Sequence, residues 1–176
     1  MNARTVGRRP GTALAALRLN RIDRVAVESP MDAIQTVEIL LVEDSPMEAE
    51  LAMKALKGAG LANNLYWVKD GQEALDFLFR TGDHAGREEG APRFILLDLH
   101  MPRVGGMEVL KAIRADRRTQ RIPVVILTSS SDERDMAEGY HLGVNSYVVK
   151  PIDFKAFADI VRRAGYYWLA VNVEPA

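Results

Sequence analysis

From Val37 onward, apolar and polar residues fall into short alternating blocks. Val37–Val42, Leu65–Lys69, Phe94–Leu99, Pro123–Thr128 and Ser146–Val149 read as five strands. Four of these are near-continuous apolar runs, as expected for strands buried on both faces of a parallel sheet. Helical segments separate them. Ser45, Pro46 and Glu48 predict a helix start with capping-box spacing, followed by an apolar stripe of Met47, Leu51 and Ala55. Asp70 and Glu73 repeat the signal ahead of Ala74, Leu75 and Leu78, with an end near Arg80. A third helix is predicted from about Gly106 to Asp116 and a fourth from about Asp132 to Leu142. The fifth follows Asp153, with Phe154, Phe157, Val161, Ala164 and Trp168 at helical spacing.

Five alternating strand and helix units imply right-handed crossovers and a doubly wound α/β fold, a parallel sheet with helices on both faces. In such sheets ligands bind outside the carboxyl ends of the strands. Those ends carry Glu43 and Asp44 after the first strand, Asp98 on the third, Thr128 on the fourth and Lys150 after the fifth. Three carboxylates within about 5 Å of one another repel by roughly 3 kcal/mol per pair at an effective dielectric near 20. Lys150 offsets part of that. An all-oxygen acidic cluster is also what a hard cation prefers, and Mg²⁺ takes one or two carboxylates together with water and phosphate oxygens. Any one acid at a strand end reads most simply as a solvated turn residue; five matching positions on one edge do not.

Composition narrows the class. The 176 residues suit one domain with extra segments, and 48% apolar with 27% charged residues is ordinary for a globular chain. A net charge of −1 gives no broad attraction to nucleic acid. The absence of cysteine excludes disulfides and thiolate zinc sites and suits a cytoplasmic setting. No apolar run approaches the roughly 20 residues of a membrane span. Residues 1–33, with Arg4, Arg8, Arg9, Arg18, Arg21 and Arg24, lack a 3.6 period. They read as a disordered extension, as a basic targeting or contact arm, or as a start assigned upstream of Met31. The domain is expected over 34–170, with 171–176 as a tail.

The stretches Ile39-Leu40-Leu41-Val42-Glu43-Asp44, Leu96-Leu97-Asp98-Leu99-His100-Met101-Pro102 with Gly105-Gly106, Val125-Ile126-Leu127-Thr128 and Tyr147-Val148-Val149-Lys150-Pro151 resemble the receiver domain of bacterial two-component response regulators. The resemblance covers Val37 to about Gly165. It implies a flavodoxin-like strand order 2-1-3-4-5 and a histidine kinase that donates a phosphoryl group to Asp98, giving an aspartyl phosphate. It further implies Mg²⁺ bound by Asp44, Asp98 and the backbone carbonyl of His100, with Glu43 acting mainly through water. Lys150 and Thr128 would contact the phosphoryl oxygens. Tyr147 would move with Thr128 as a switch, although an aromatic on a strand also reads as simple packing. The Lys150–Pro151 bond would be cis. Such a domain is a phosphoacceptor, not an enzyme with separate substrates.

Three departures refine the picture. Thr81–Arg93, with Gly82, Gly86, Gly90 and Pro92, exceeds the usual two-to-six-residue connection. With Asp76-Phe77-Leu78-Phe79 before it, this insertion resembles single-domain response regulators that partner phytochrome-type photoreceptor kinases; the plainer reading is a neutral surface loop. His100 and Ser130 lie two residues beyond Asp98 and Thr128, positions that in receivers flank the route of attacking water, so the resemblance implies that they affect the lifetime of the aspartyl phosphate. His84 and His141 read as surface residues. After the fifth helix the aromatic run Tyr166-Tyr167-Trp168 reads either as the last turn of a helix packed on its own core or, the favoured reading, as an exposed patch that forms a homodimer through the fourth helix, fifth strand and fifth helix. No output domain is expected there. Two other readings stay open. One is a magnesium-dependent phosphatase with an aspartyl nucleophile, disfavoured because His100 stands where a second acid would be; the other is a degenerate receiver serving as a scaffold.

Overall fold

The structure, a computed structural model, describes residues 37–61 and 64–173. The expectations for residues 1–33 therefore lie outside the described residues. Five parallel strands form one sheet in the order β2-β1-β3-β4-β5: β1 (Ile39–Val42), β2 (Leu65–Val68), β3 (Phe94–Leu97), β4 (Val124–Thr128) and β5 (Ser146–Val149). Helices α1 (Pro46–Gly58), α2 (Gly71–Phe79), α3 (Gly106–Ala115), α4 (Glu133–His141) and α5 (Phe154–Tyr166) connect and cover them. The fold is the flavodoxin-like doubly wound sheet.

Alternation along each strand divides the core in two. Leu40, Val42, Ile95, Leu97, Val124 and Ile126 face α2 and α3, where they meet Phe77, Val109, Leu110 and Ile113. Their neighbours Ile39, Leu41, Phe94, Leu96, Val125 and Leu127 face Ala49, Ala52 and Leu56 of α1 and Phe157 and Val161 of α5. Because both faces are buried, β1 and β3 are apolar at every position and β4 at every position but Thr128. β5 has the predicted bounds, and the other four strands are one or two residues shorter than predicted, since residues such as Val37, Lys69, Leu99 and Pro123 extend past the paired ladder.

The helix starts follow their caps. The side chains of Ser45, Asp70, Asp132 and Asp153 accept from backbone N–H groups of the first turns of α1, α2, α4 and α5. The apolar stripe of α1, however, is displaced. Ala49, Ala52 and Leu56 are the buried residues, whereas Met47 is 61% exposed and Leu51 and Ala55 are half-buried. Small residues suit the inward face because α1 packs closely against α5. Phe154, at helical spacing with the buried Phe157 and Val161, is itself 57% exposed at the first position of α5, where it lines a shallow groove with Met47 and Leu51 of α1. Trp168 packs, half-buried, against the α1/α5 side of the core, in a π-helical turn (Tyr167–Val171) that continues α5.

The long insertion after α2 is ordered. Arg80 ends the helix in the left-handed conformation, and a single 3-10 turn follows over Gly82–His84. His84, expected on the surface without an acid partner, instead packs edge-on to Tyr66 and Phe77, with Nε2 3.9 Å from Glu73 Oε1. Arg87 lies 4.2 Å over the Phe77 ring and donates to the backbone carbonyls of Phe77 and Gly90.

Candidate phosphoacceptor and metal site

Parallel register brings the strand ends into line. Val42 pairs with both Val68 and Leu97, and Thr128 with Val149, so the next residues outward are Glu43, Asp98 and Lys150. Asp98 N–H donates to the Val42 carbonyl and Lys150 N–H to that of Thr128, fixing both side chains at the same edge. All five predicted residues converge there. Oxygens of Glu43, Asp44 and Asp98 lie within 4.8 Å of one another. Glu43 and Asp98 are buried, while Asp44 faces solvent and opens the cluster to it.

Lys150 closes the site from the far side of the sheet. Its Nζ is 2.7 Å from Glu43 Oε2 and 2.6 Å from Glu48 Oε2, and 3.4 Å from Asp98 Oδ1. The 3.4 Å contact is an ion pair without hydrogen-bond alignment, so Asp98 Oδ1 is a buried acceptor with no hydrogen-bond partner among the described residues. Burial pushes the Glu43 carboxyl up to about 7, although Lys150 pulls the other way. Burial likewise raises Asp98 above the usual range against the pull of Lys150. For Lys150, burial disfavours the ammonium, but hydrogen bonds to Glu43 and Glu48 outweigh it and hold its pKa above the ordinary lysine value.

Glu48 is the residue the sequence did not assign to the site. Its spacing from Ser45 marks it as the closing half of a capping box, and Ser45 Oγ does accept from the Glu48 N–H. The carboxylate, though, reaches Lys150, and Glu43 Oε1 accepts from the Ser45 N–H in its place. Only a contact 102 residues away in the chain reveals this.

Thr128 and Tyr147, expected to act as a switch, have further contacts. Thr128 is fully buried and its Oγ1 accepts from the Ser130 N–H at 3.1 Å. His100, expected to offer the site only its backbone carbonyl, also places its side-chain Nδ1 3.3 Å from Thr128 Oγ1. Tyr147 is half-buried, packs against the α2/α3 side of the core and donates to the Ser130 carbonyl at 3.3 Å. The Lys150–Pro151 bond is not cis: there is no cis peptide among the described residues. Trans is the lower-energy isomer before proline, by about 0.5–1 kcal/mol, and the site's contacts form without departing from it.

The donor set fits a hard divalent cation. It is all oxygen, it concentrates negative charge that one ammonium does not neutralise, and it contains a buried carboxylate oxygen with no hydrogen-bond donor.

The sequence profile of the response regulator receiver domain matches residues 39–162. The probable methanogenesis regulatory protein FilR2 of Methanothrix harundinacea is 41% identical over 137 residues, covering 78% of this chain and 86% of its own. Response regulator Rcp1 of Synechocystis sp. is 37% identical over 138 residues, covering 78% and 92%. The crystal structure of its Mn(2+)-bound form aligns with a TM-score of 0.73 over 78% of this chain and 98% of that chain. The phosphorylated cyanobacterial phytochrome response regulator RcpA is 35% identical, with a TM-score of 0.74 over 80% and 99%.

Proposed function

This chain belongs to the response regulator receiver family of two-component signalling, with relatives among the phytochrome response regulators, and from that premise we propose that it is a switch phosphorylated on Asp98. The observation that carries the proposal is the buried Asp98 carboxylate, flanked by Glu43 and Asp44, with one oxygen lacking a hydrogen-bond donor. An Asp98 oxygen attacks the phosphorus of a phosphohistidine on a sensor histidine kinase. The P–N bond breaks, the imidazole leaves with the bonding pair and is protonated, and an acyl phosphate remains on Asp98.

Asp44, Asp98 and the His100 backbone carbonyl would hold Mg²⁺ directly, with Glu43 behind an intervening water. When bound, the cation offsets the acid cluster and the charge on the transferring phosphoryl oxygens. Lys150 exchanges its Glu48 contact for a phosphoryl oxygen, which Asp98 already places near its Nζ. Thr128 turns its hydroxyl to a second oxygen, and Tyr147 follows inward, so that the charge change is read on the surface of α4, β5 and α5. The β5 and α5 part of that surface carries a groove of about 350 Å³ beside Val148, Ile160 and Tyr167, and a second copy of the chain is the partner proposed for this face. Similarity to RcpA and Rcp1, together with the structured insertion, favours a phytochrome-type photoreceptor kinase as the donor. The setting is cytoplasmic, where such kinases present their phosphohistidine.

A small phosphodonor with Mg²⁺ should add one phosphoryl mass to the wild type and none to Asp98→Asn. Equal labelling of the two would refute the assignment.

A further inference from the structure

Around Thr128 four side chains form a network that the phosphoryl chemistry does not require. Besides accepting from Ser130 N–H, Thr128 Oγ1 faces His100 Nδ1 at 3.3 Å. The opposite nitrogen of that ring, Nε2, lies 3.9 Å from Asp135 Oδ2 on α4. The same Asp135 oxygen accepts from Ser130 Oγ at 2.7 Å, and the Ser130 carbonyl accepts from Tyr147. Most of the His100 ring is in solvent, its side chain being 60% exposed, so packing does not account for its orientation.

One hydrogen arrangement gives every atom a complementary neighbour. The Thr128 hydroxyl accepts from Ser130 and donates to His100 Nδ1, while Nε2–H is turned to the Asp135 carboxylate. The proton that Thr128 would offer a phosphoryl oxygen is then already engaged. At 3.3 Å the bond is long and easily exchanged.

The geometry points to His100 as a positioning residue that holds Thr128 in the unphosphorylated state, tied through Asp135 to the first turn of α4. This rests on the phosphoacceptor reading above and adds to it a competitor for the threonine hydroxyl. Phosphorylation must displace His100 from Thr128, and the displaced ring loosens its hold on Asp135. The charge change at Asp98 thereby reaches α4 by a route separate from Tyr147.

Beryllofluoride with Mg²⁺, a phosphoryl mimic, tests it, with Trp67 as reporter because its indole N–H donates to the Glu43 carbonyl at 2.8 Å. His100→Leu keeps the backbone carbonyl and removes the competitor. It should tighten beryllofluoride binding about three- to tenfold, the worth of one such hydrogen bond. His100→Asn, which returns a polar atom near the Nδ1 position, should restore affinity toward wild type. In a Thr128→Val background His100→Leu should change nothing, since the effect runs through the hydroxyl. Unchanged affinity in His100→Leu, or an equal change in both backgrounds, overturns the inference. In the metal-free protein the Ser130 amide resonance should move in His100→Leu and stay in place in His141→Leu; no movement in the former also overturns it. Failure of the wild type to bind beryllofluoride at all would count against the phosphoacceptor reading, leaving the Ser130 amide to decide the latch.

Discussion

One ammonium answers three carboxylates at the sheet edge. Lys150 is buried with Glu43 and Asp98 and is also held by Glu48, so replacing it by methionine leaves like charges together without a counterion. Removing one partner of such a buried pair costs about 3–5 kcal/mol. Lys150→Met should therefore lower unfolding stability by that order in urea at neutral pH, with millimolar Mg²⁺ recovering part of the loss. Asp70 is a second charged residue with a separable role. Its burial pushes the carboxyl up, but the Glu73 N–H and the Arg103 guanidinium outweigh that and hold it below the ordinary range. The folded chain thus binds this proton less readily than the unfolded chain. Its contribution is complete above about pH 4, the unfolded value, and is lost as pH falls through the lower folded value. Acid titration of stability should be shallower there in Asp70→Asn than in wild type. Asn retains the helix cap, so Asp70→Ala should lose about 1 kcal/mol more than Asp70→Asn.

The helices differ in how firmly they are held. α3 begins where Gly106 meets the chain just past Asp98: a Cβ there would lie 2.2 Å from the Asp98 carbonyl oxygen and 2.8 Å from Leu99 Cα. Backbone cannot yield as a flexible side chain can, so Gly106→Ala should destabilise by about 1–3 kcal/mol. It should also weaken Mg²⁺ binding, measured by Trp67 quenching, because relief requires the Asp98–Leu99 segment to move. α4 is the opposite case. Gly139 is its only buried residue, and its first turn is tied down by the polar contacts of Asp132 and Asp135. Helices with few buried apolar contacts open at lower free energy. Amide exchange in α4 should therefore outpace that in α3 and α5, and beryllofluoride should change α4 most.

Taken together, the strands, the two-faced core and the five edge residues were legible from the chain alone. Apolar runs of four or five residues and acids just past them are local signals, and a parallel sheet converts position in sequence directly into position at an edge. What was not legible depends on distant neighbours. Glu48 carries the sequence of a cap, and only β5 supplies the lysine that takes its carboxylate. His84 has no local partner, and the Tyr66 ring from β2 arrives by tertiary packing. The α1 stripe was misplaced because Met47 and Ala49 both fit a helical spacing, and it is the close approach of α5 that selects the smaller residue. A ligand that binds only the folded chain stabilises it by mass action. Mg²⁺ at 100 times its dissociation constant should add about 2.7 kcal/mol, seen as a rise in Tm that Asp44→Ala and Asp98→Ala abolish.

Lys150 reaches Glu43 across 107 residues of sequence and comes from the last strand of the sheet. A ribosome building this chain delivers the acids early and their counterion late. A nascent chain holding β1 to β3 but not β5 has an aspartate that repels its neighbours and lacks Lys150, the ammonium that faces them in the folded chain. On the function proposed above, competence to accept a phosphoryl group is acquired only once β5 has been made, and a fragment lacking β5 should not be labelled by a phosphodonor.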